Sequence, residues 1–318
     1  MSNSISVVIP NFNGKEILEK NLPKVFASLS LYKDAPTEVI VSDDFSTDDS
    51  MSALKALQRR FGLSYPRIKL RIIGNTRNLG FAYTVNSGVK SALGDILILL
   101  NTDVYPKNDF LTPLIKHFTD PNVFAVGCKD ESIENGKTVL RGRGVGVWKK
   151  GFLVHSRGEV DKTNTLWVNG GSGAFRKSIW EKLGGLDTMY SPFYWEDIDL
   201  SYRALKSGYK IIFEPKSVVV HEHEKGAIKS CYSDFAVKTI AYRNQFLFVW
   251  KNATDWNLQF LHALWLPYHF AGALLRLDFN FFAGFFSALL LLPRATVTGF
   301  KIQKYFTKSD KEVIRSLA

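Results

Sequence analysis

In SISVVIPNFNGKEILEKNLPKVFASLSLYKDAPTEVIVSDD, residues 4–44, a β-branched run from Ser4 to Ile9 closes at Pro10. An amphipathic stretch follows from about Lys15 to Leu31, and a second β-branched run occupies Glu38 to Val41. The apolar period passes from two to 3.6 and back, which predicts strand, helix, strand. Outward from this segment the alternation continues, with a helix near Ser50 to Phe61, a strand near Ile68 to Ile73, a helix near Phe81 to Leu93 and the apolar strand Asp95 to Leu100. Such a pattern implies an α/β protein whose sheet is mainly parallel, Rossmann-like and flanked by helices. Ligands of such sheets bind beyond the carboxyl ends of the strands. Asp43, Asp44 and Asp103 directly follow predicted strands, whereas Ser46, Thr47 and Asp48 read as cap and turn chemistry.

With 318 residues, 46% hydrophobic and 22% charged, the chain can bury a sizeable core, which argues against a disordered or fibrous protein. A formal net charge of +11 attracts polyanions: phosphate-bearing substrates, an anionic leaflet or nucleic acid. No nucleic-acid motif accompanies the charge, so nucleic acid is not expected as a partner. Cys128 and Cys231 lack metal or redox spacing and suit a reducing compartment. MSNSISVVIP has no basic n-region, so the N-terminus is expected to fold in the cytoplasm.

Between Val123 and Val168 the pattern loosens, and RGRGVGVWKK at Arg141 to Lys150 reads as a mobile basic loop. Order returns at NGGSGAFRKSIW, in a helix at Asp197 to Ser207 and in a strand at Ser217 to His221. Beyond roughly residue 226 the composition shifts. Trp256 to Leu275 and Phe279 to Leu292 contain no Lys, Arg, Asp or Glu. Gln259, His262, Pro267 and His269 interrupt the first run, and the second is short of the about 20 residues of a span. Two helices lying in the bilayer interface, or a shallow hairpin, fit better, with Lys301, Lys304, Lys308, Lys311 and Arg315 meeting anionic headgroups. Buried core helices and a homo-oligomer interface are the alternatives for the same segment. The expected division is thus an α/β ligand-binding domain at 1–225 and a helical, membrane-associating region at 226–318, seated peripherally or monotopically on the cytoplasmic face of the inner or plasma membrane.

Asp103, in NTDV, and His221, in HEH, stand at strand ends and offer a carboxylate and an imidazole suited to Mn²⁺ or Mg²⁺, with His223 as a fallback ligand.

In order along the chain, SVVIPNFNG, EVIVSDDFSTDDS, NTRNLGFAYTVNSG, GDILILLNTDV, VNGGSGAFRKSIWEKLGGLDTMYSPFYWEDIDLSYRALKSGYK and VVVHEHE closely resemble glycosyltransferase family 2. That resemblance implies a GT-A fold and an inverting, metal-dependent transferase acting on a nucleotide-diphosphate sugar, UDP- or dTDP-linked. Many relatives of this kind assemble cell-surface polysaccharide on glycan or lipid-linked acceptors, and some are rhamnosyltransferases. It implies that Pro10 and Asn11 line the nucleoside pocket, that Asp44, with Asp43, accepts from the base, and that Asn78 and Gly80 close over it. Asn101, Thr102 and Asp103 match the family's Asp-x-Asp segment; Asn101 is neutral there, which leaves Asp103 as the ligand. The acidic pair Glu196 and Asp197 matches the acceptor side, with Asp197 as the base. Gly170, Gly171 and Trp195 fall near the donor or acceptor sugar, while Asp199 and Arg203 read as a structural pair four residues apart. A nucleotidyltransferase would need a glycine-rich basic loop where PNFNGKE stands, and a catalytically silent carbohydrate- or lipid-binding homologue would have no need of Asp44, Asp103, Asp197 and His221 together.

Overall fold

Helical crossovers give four strands a common direction: β1 (Ile5–Asn11), β2 (Thr37–Asp43), β3 (Ile68–Gly74) and β4 (Ile96–Leu100) lie parallel in the order β3-β2-β1-β4. The computed structural model describes residues 4–134, 136–222 and 232–317, so His223 and Cys231 lie outside the described residues. Alternation along each strand divides its side chains between two layers. Val7, Ile9, Val39 and Val41 pack against α1 (Lys15–Leu31) and α2 (Ser50–Ser64), where Phe26 and Phe61 stack with centroids 4.2 Å apart. Val8 and Ile40 point the other way, into a layer with Ala82, Val85 and Val89 of α3 (Phe81–Ser91). Each fully buried aliphatic contributes about 1.5–3 kcal/mol, and a one-residue slip would exchange the layers, so the apolar pattern pins the register.

Beyond β4 the sheet mixes directions. β10 (Ser172–Arg176) runs antiparallel between β4 and β6 (Val123–Glu134), β11 (Lys210–Glu222) runs parallel to β6, and β5 (Val104–Pro106) closes the edge antiparallel to β11. β7 (Lys137–Arg141) folds back on β6. Three short helices, α4 (Leu111–Ile115), α5 (Lys177–Leu183) and α6 (Glu196–Lys206), complete this part.

RGRGVGVWKK is not a loop. Gly144–Lys149 forms β8 and pairs with β9 (Phe152–Arg157) in a separate two-stranded ribbon. The glycines that suggested mobility serve close packing: a Cβ at Gly144 would strike the Trp167 ring, and one at Gly146 would strike Leu166. The ribbon's turn is held by α8 (Trp256–Leu275), whose His262 bonds the Gly151 carbonyl at 2.8 Å and whose His269 bonds that of Lys150 at 2.8 Å.

The other carboxyl-terminal helices are α7 (Asp234–Asn252), α9 (Phe279–Gln303) and α10 (Asp310–Arg315). Phe246, Phe248, Ala288, Ala295 and Val313 share one core with Leu200, Tyr202 and Leu205 of α6. Buried charges tie the helices down. Lys206 meets Asp310 at 3.0 Å with both side chains fully buried, and Tyr202 donates to Asp310 at 2.6 Å. Lys251 bridges Asp187 at 2.7 Å and Asp199 at 2.9 Å, and Arg203 meets Asp199 at 2.7 Å, the pair expected from their spacing. Burial pushes Asp199 upward, but Arg203 and Lys251 outweigh it and hold the carboxyl at about 2. The outer faces of α8 and α9 stay apolar and exposed at Trp256, Phe260, Leu264, Leu275, Leu290 and Phe300. Among the described residues, α9, with 25 residues, is the helix long and apolar enough to cross a membrane by length and composition.

Candidate active site

At the carboxyl end of β1, partly exposed Pro10 precedes Asn11, whose amide donates to Asp43 at 2.7 Å while its Oδ1 is buried without a partner. Asp43 also accepts from the Ser46 amide at 2.9 Å and the Ser46 hydroxyl at 2.6 Å, so it builds the turn from β2 into α2. Asp44 accepts from the Asn75 side chain at 2.8 Å and from the backbone amides of Leu79 at 2.9 Å and Gly80 at 2.8 Å. It thereby fastens the 75–80 segment, with exposed Asn78 at its surface, to the sheet edge. Gly80 adopts φ 85°, a conformation that favours glycine, and a Cβ added there would lie 3.6 Å from Cα of Pro192 and 3.8 Å from the Ser191 hydroxyl.

The end of β4 meets the start of β10. The backbone amide of Asn101 donates to the Gly171 carbonyl at 3.0 Å, and a Cβ at Gly171 would collide with the Asn101 side chain, whose Oδ1 is a second buried acceptor without a partner. Thr102 accepts at its carbonyl from Asn21 at 3.0 Å, and its methyl and Asn11 flank Gly14. Asp103 faces His221 with Oδ2 3.3 Å from Nε2, and Asp130 lies behind the ring with Oδ2 3.0 Å from Nδ1. Ser132 donates to Asp130 at 2.9 Å. Burial would lower His221, yet the two carboxylates outweigh it and raise it to about 9. No cluster of three or more His, Cys, Asp or Glu side chains able to hold a metal occurs among the described residues. Asp103 and His221 nevertheless converge as one carboxylate oxygen and one imidazole nitrogen, a donor pair that fits a divalent cation whose remaining ligands come from phosphate oxygens and water.

On the other side of the cleft α6 begins with the acidic pair. Glu196 is buried, with Oε2 unpartnered, and Asp197, half-buried, accepts from the Ile198 amide at 2.8 Å. Burial pushes Asp197 up to about 6; burial and then the charge of Asp197 push Glu196 up to about 8. A Cβ added at Gly170 would lie 3.5 Å from the Phe81 ring and 3.7 Å from Cβ of Asp197. Gly170 and Gly171 thus join the acidic pair to the strand-end segment 101–103. Trp195 is 6% exposed, packed edge-on against His155 at 5.0 Å and tilted on Phe248 at 5.0 Å, so little of its ring is open to a sugar; Tyr194 is the exposed aromatic beside it.

Sequence reasoning missed Asp130, Tyr194 and Asn244. The one signal for Asp130 is a carboxylate two residues beyond the apolar run VFAVGC; Tyr194 adjoins the acidic pair in sequence, whereas Asn244 has no local signal because its partners lie about fifty residues away.

The Glycosyl transferase family 2 model matches residues 6–184. An O-antigen chain rhamnosyltransferase of Salmonella typhimurium is 24% identical over 225 residues, covering 69% of this chain and 66% of its own length. The N-acetylglucosaminyl-diphospho-decaprenol L-rhamnosyltransferase of Mycobacterium tuberculosis is 25% identical over 282 residues, covering 75% of this chain and 85% of its own. Among solved structures, residues 1–349 of S. aureus TarS in complex with UDP-GlcNAc superpose with a TM-score of 0.60 at 16% identity, over 99% of this chain and 90% of that one. That likeness shows the GT-A fold that the family resemblance implied.

Proposed function

The chain belongs to glycosyl transferase family 2, and on that premise we propose that it moves a sugar, rhamnosyl or another hexosyl unit, with inversion from a UDP- or dTDP-sugar to a hydroxyl of a glycan or lipid-linked acceptor in cell-surface polysaccharide assembly. The observation that carries this reading is the meeting, at Gly170 and Gly171, of the strand-end segment around Asn101 with the Asp197 carboxylate. An inverting displacement needs a base on one side of a sugar ring and a grip on the diphosphate on the other.

In this reading ionised Asp197 takes the proton of the acceptor hydroxyl, whose oxygen bonds to the anomeric carbon as the bond to the diphosphate oxygen breaks. The nucleoside diphosphate leaves with the bonding pair. A carboxyl near 6 is largely ionised at neutrality and is a stronger base than an ordinary aspartate. Pro10, Asn11, Asp44, Asn78 and Gly80 bind and enclose the nucleoside, Asp43 holds the turn beneath it, and the buried acceptors of Asn11 and Asn101 await polar partners from the donor. Asp103 and His221 would hold Mn²⁺ or Mg²⁺, which when bound neutralises charge on the departing diphosphate.

Both relatives carry rhamnosyl transfer in their names, and one names a decaprenol-diphosphate acceptor, which supports a lipid-linked substrate. The exposed apolar faces of α8 and α9, beside exposed Lys301 and Lys304, support seating of the 226–318 region on the anionic cytoplasmic leaflet. Thermal shift against a nucleotide-sugar panel including dTDP-rhamnose and UDP-GlcNAc, with and without Mn²⁺, tests the donor side. A ligand at 100 times its Kd should stabilise the fold by about 2.7 kcal/mol. If no nucleotide sugar raises Tm in either condition, the transferase reading is lost.

A further inference from the structure

Segment 190–195 delivers the acidic pair to the cleft, and its backbone is unusual. Tyr194 and Trp195 are consecutive non-glycine residues at φ 71° and 77°, the left-handed region, whose strain persists only where the surroundings enforce it. Trp195 immediately precedes α6, so these two dihedral pairs set where Glu196 and Asp197 point. The opposite end of the segment, Ser191 and Pro192, lies against Gly80 of the nucleotide-side loop.

What enforces the shape comes from α7, about fifty residues further along the chain. Asn244 is fully buried, and the two hydrogens of its amide nitrogen are shared among the carbonyls of Tyr190 at 2.9 Å, Phe193 at 3.0 Å and Tyr194 at 2.9 Å. Its oxygen accepts from Arg243 Nε at 2.9 Å, which fixes the amide's orientation, since three carbonyls can only accept. Arg243 Nη2 donates to the Tyr190 carbonyl at 3.3 Å and also to that of Ser191. Four carbonyls of this loop, those of Tyr190, Ser191, Phe193 and Tyr194, are therefore met by two neighbouring side chains. A buried carbonyl left unmet carries the full cost of its lost hydration.

We propose that Arg243 and Asn244 are positioning residues that hold segment 190–195 in the one shape that aims Glu196 and Asp197 into the cleft, an inference that rests on Asp197 being the base. Both act through the backbone carbonyls of the segment. Loss of the clamp lets the turn relax toward ordinary dihedrals and displaces the carboxylates, and a displacement near 1 Å is enough to cost about 10²-fold in rate.

The test uses the full chain with Asn244→Ala, the isosteric Asn244→Asp, which sets an acceptor against three acceptors, and the pair Arg243→Ala and Arg243→Lys. Val313→Ala, in the buried core at α10, controls for general destabilisation. Three readouts are taken: nucleotide release from dTDP-rhamnose and UDP-GlcNAc across pH, calorimetric affinity for UDP with Mn²⁺, and hydrogen exchange of the peptide spanning 190–199. Expected for Asn244→Asp is about 10²-fold lower kcat with UDP affinity within threefold. The acidic limb should move to lower pH as Asp197 gains water, exchange should quicken at 190–199, and Arg243→Lys should recover most of the loss in Arg243→Ala. The proposal is overturned if kcat per folded molecule falls no further than in Val313→Ala, or if exchange at 190–199 is unchanged. Should the wild-type chain release nucleotide from neither donor, the transferase reading fails instead, and the exchange arm alone still decides whether the clamp holds the segment.

Discussion

Asp130 stands behind His221, Oδ2 to Nδ1 at 3.0 Å, while Asp103 faces the opposite ring nitrogen at 3.3 Å. A carboxylate bonded to one imidazole nitrogen fixes the ring's orientation and leaves the other nitrogen to serve a cation, the arrangement typical behind metal-ligating histidines. Asp130→Asn should therefore weaken Mn²⁺ binding in the presence of UDP by about 10–100-fold, although Asp130 is not itself a ligand in this reading. Asp103→Ala and His221→Ala should weaken it at least as far. Titration by calorimetry checks this, and unchanged affinity in all three variants would remove the cation from this end of the sheet.

The same geometry sets a pH dependence. The two carboxylates raise His221 to about 9, so near neutrality the ring holds a proton that a cation must displace. Mn²⁺ affinity should rise from pH 7 toward pH 9 and level off above it. A flat profile over that window, measured in the wild-type chain, would mean that His221 is not the nitrogen ligand.

How far the site could be read in advance depended on whether its parts are local. Asp44, Asp103 and His221 end strands whose β-branched runs are plain, so their place at one sheet edge follows from the alternation around Val7, Val39 and Ile98. The ribbon at 144–157 was hidden because Gly144 and Gly146 carry the composition of a loop while filling the role of contact surfaces for Trp167 and Leu166. Asp130 and Asn244 were hidden for another reason: their meaning lies in partners about 90 and 50 residues away. Trp195 looked like a platform for a sugar beside the acidic pair, but its place in the shared core with Phe248 depends on α7, which no local pattern reports.

Membrane seating is best tested on the surface and not by truncation. Removing 256–318 would strip Ala288, Ala295 and Val313 from the core and leave Lys206 buried without Asp310, a loss on the order of 3–5 kcal/mol from the broken ion pair alone. Phe260→Asp, Leu264→Asp and Leu290→Asp change side chains that are 59%, 59% and 83% exposed, so Tm should stay within a few degrees. Co-sedimentation with vesicles containing anionic lipid should fall sharply in the triple variant. If the wild-type chain does not sediment with such vesicles and runs as a dimer that the triple variant dissolves, the face is an oligomer interface.

Stability should also report the acidic pair. Folding raises the proton affinity of both carboxyls, so their favourable contribution is complete below about pH 4 and is lost as pH rises through about 6 and 8. Glu196→Gln removes the member with the larger rise and a like charge beside Asp197. Its Tm should exceed that of the wild-type chain at pH 9, and the difference should shrink toward zero or reverse at pH 5. A constant offset across that range would mean that Glu196 does not ionise within it.

Asp197→Asn carries the decisive test of the chemistry. Asparagine keeps the shape of the side chain and its contact beside Gly170 but cannot accept a proton, so transfer should fall by about 10²–10⁴-fold, the usual contribution of a general base. Donor affinity should change little, because the nucleoside side of the cleft is built from Pro10, Asn11, Asp44 and the 75–80 segment, with Gly170 and Gly171 between them and the pair. In the wild-type chain kcat should climb with an apparent value near 6, where Asp197 ionises while Glu196 still holds its proton. Glu196→Gln is the necessary partner experiment: Glu196 still holds its proton where Asp197 ionises, so replacing it by neutral glutamine should leave the acidic limb near its place with turnover retained. Should Glu196→Gln be dead and Asp197→Asn active, the roles within the pair are exchanged. If both variants turn over at the wild-type rate, the base lies outside α6 and the assignment built on Gly170 falls with it.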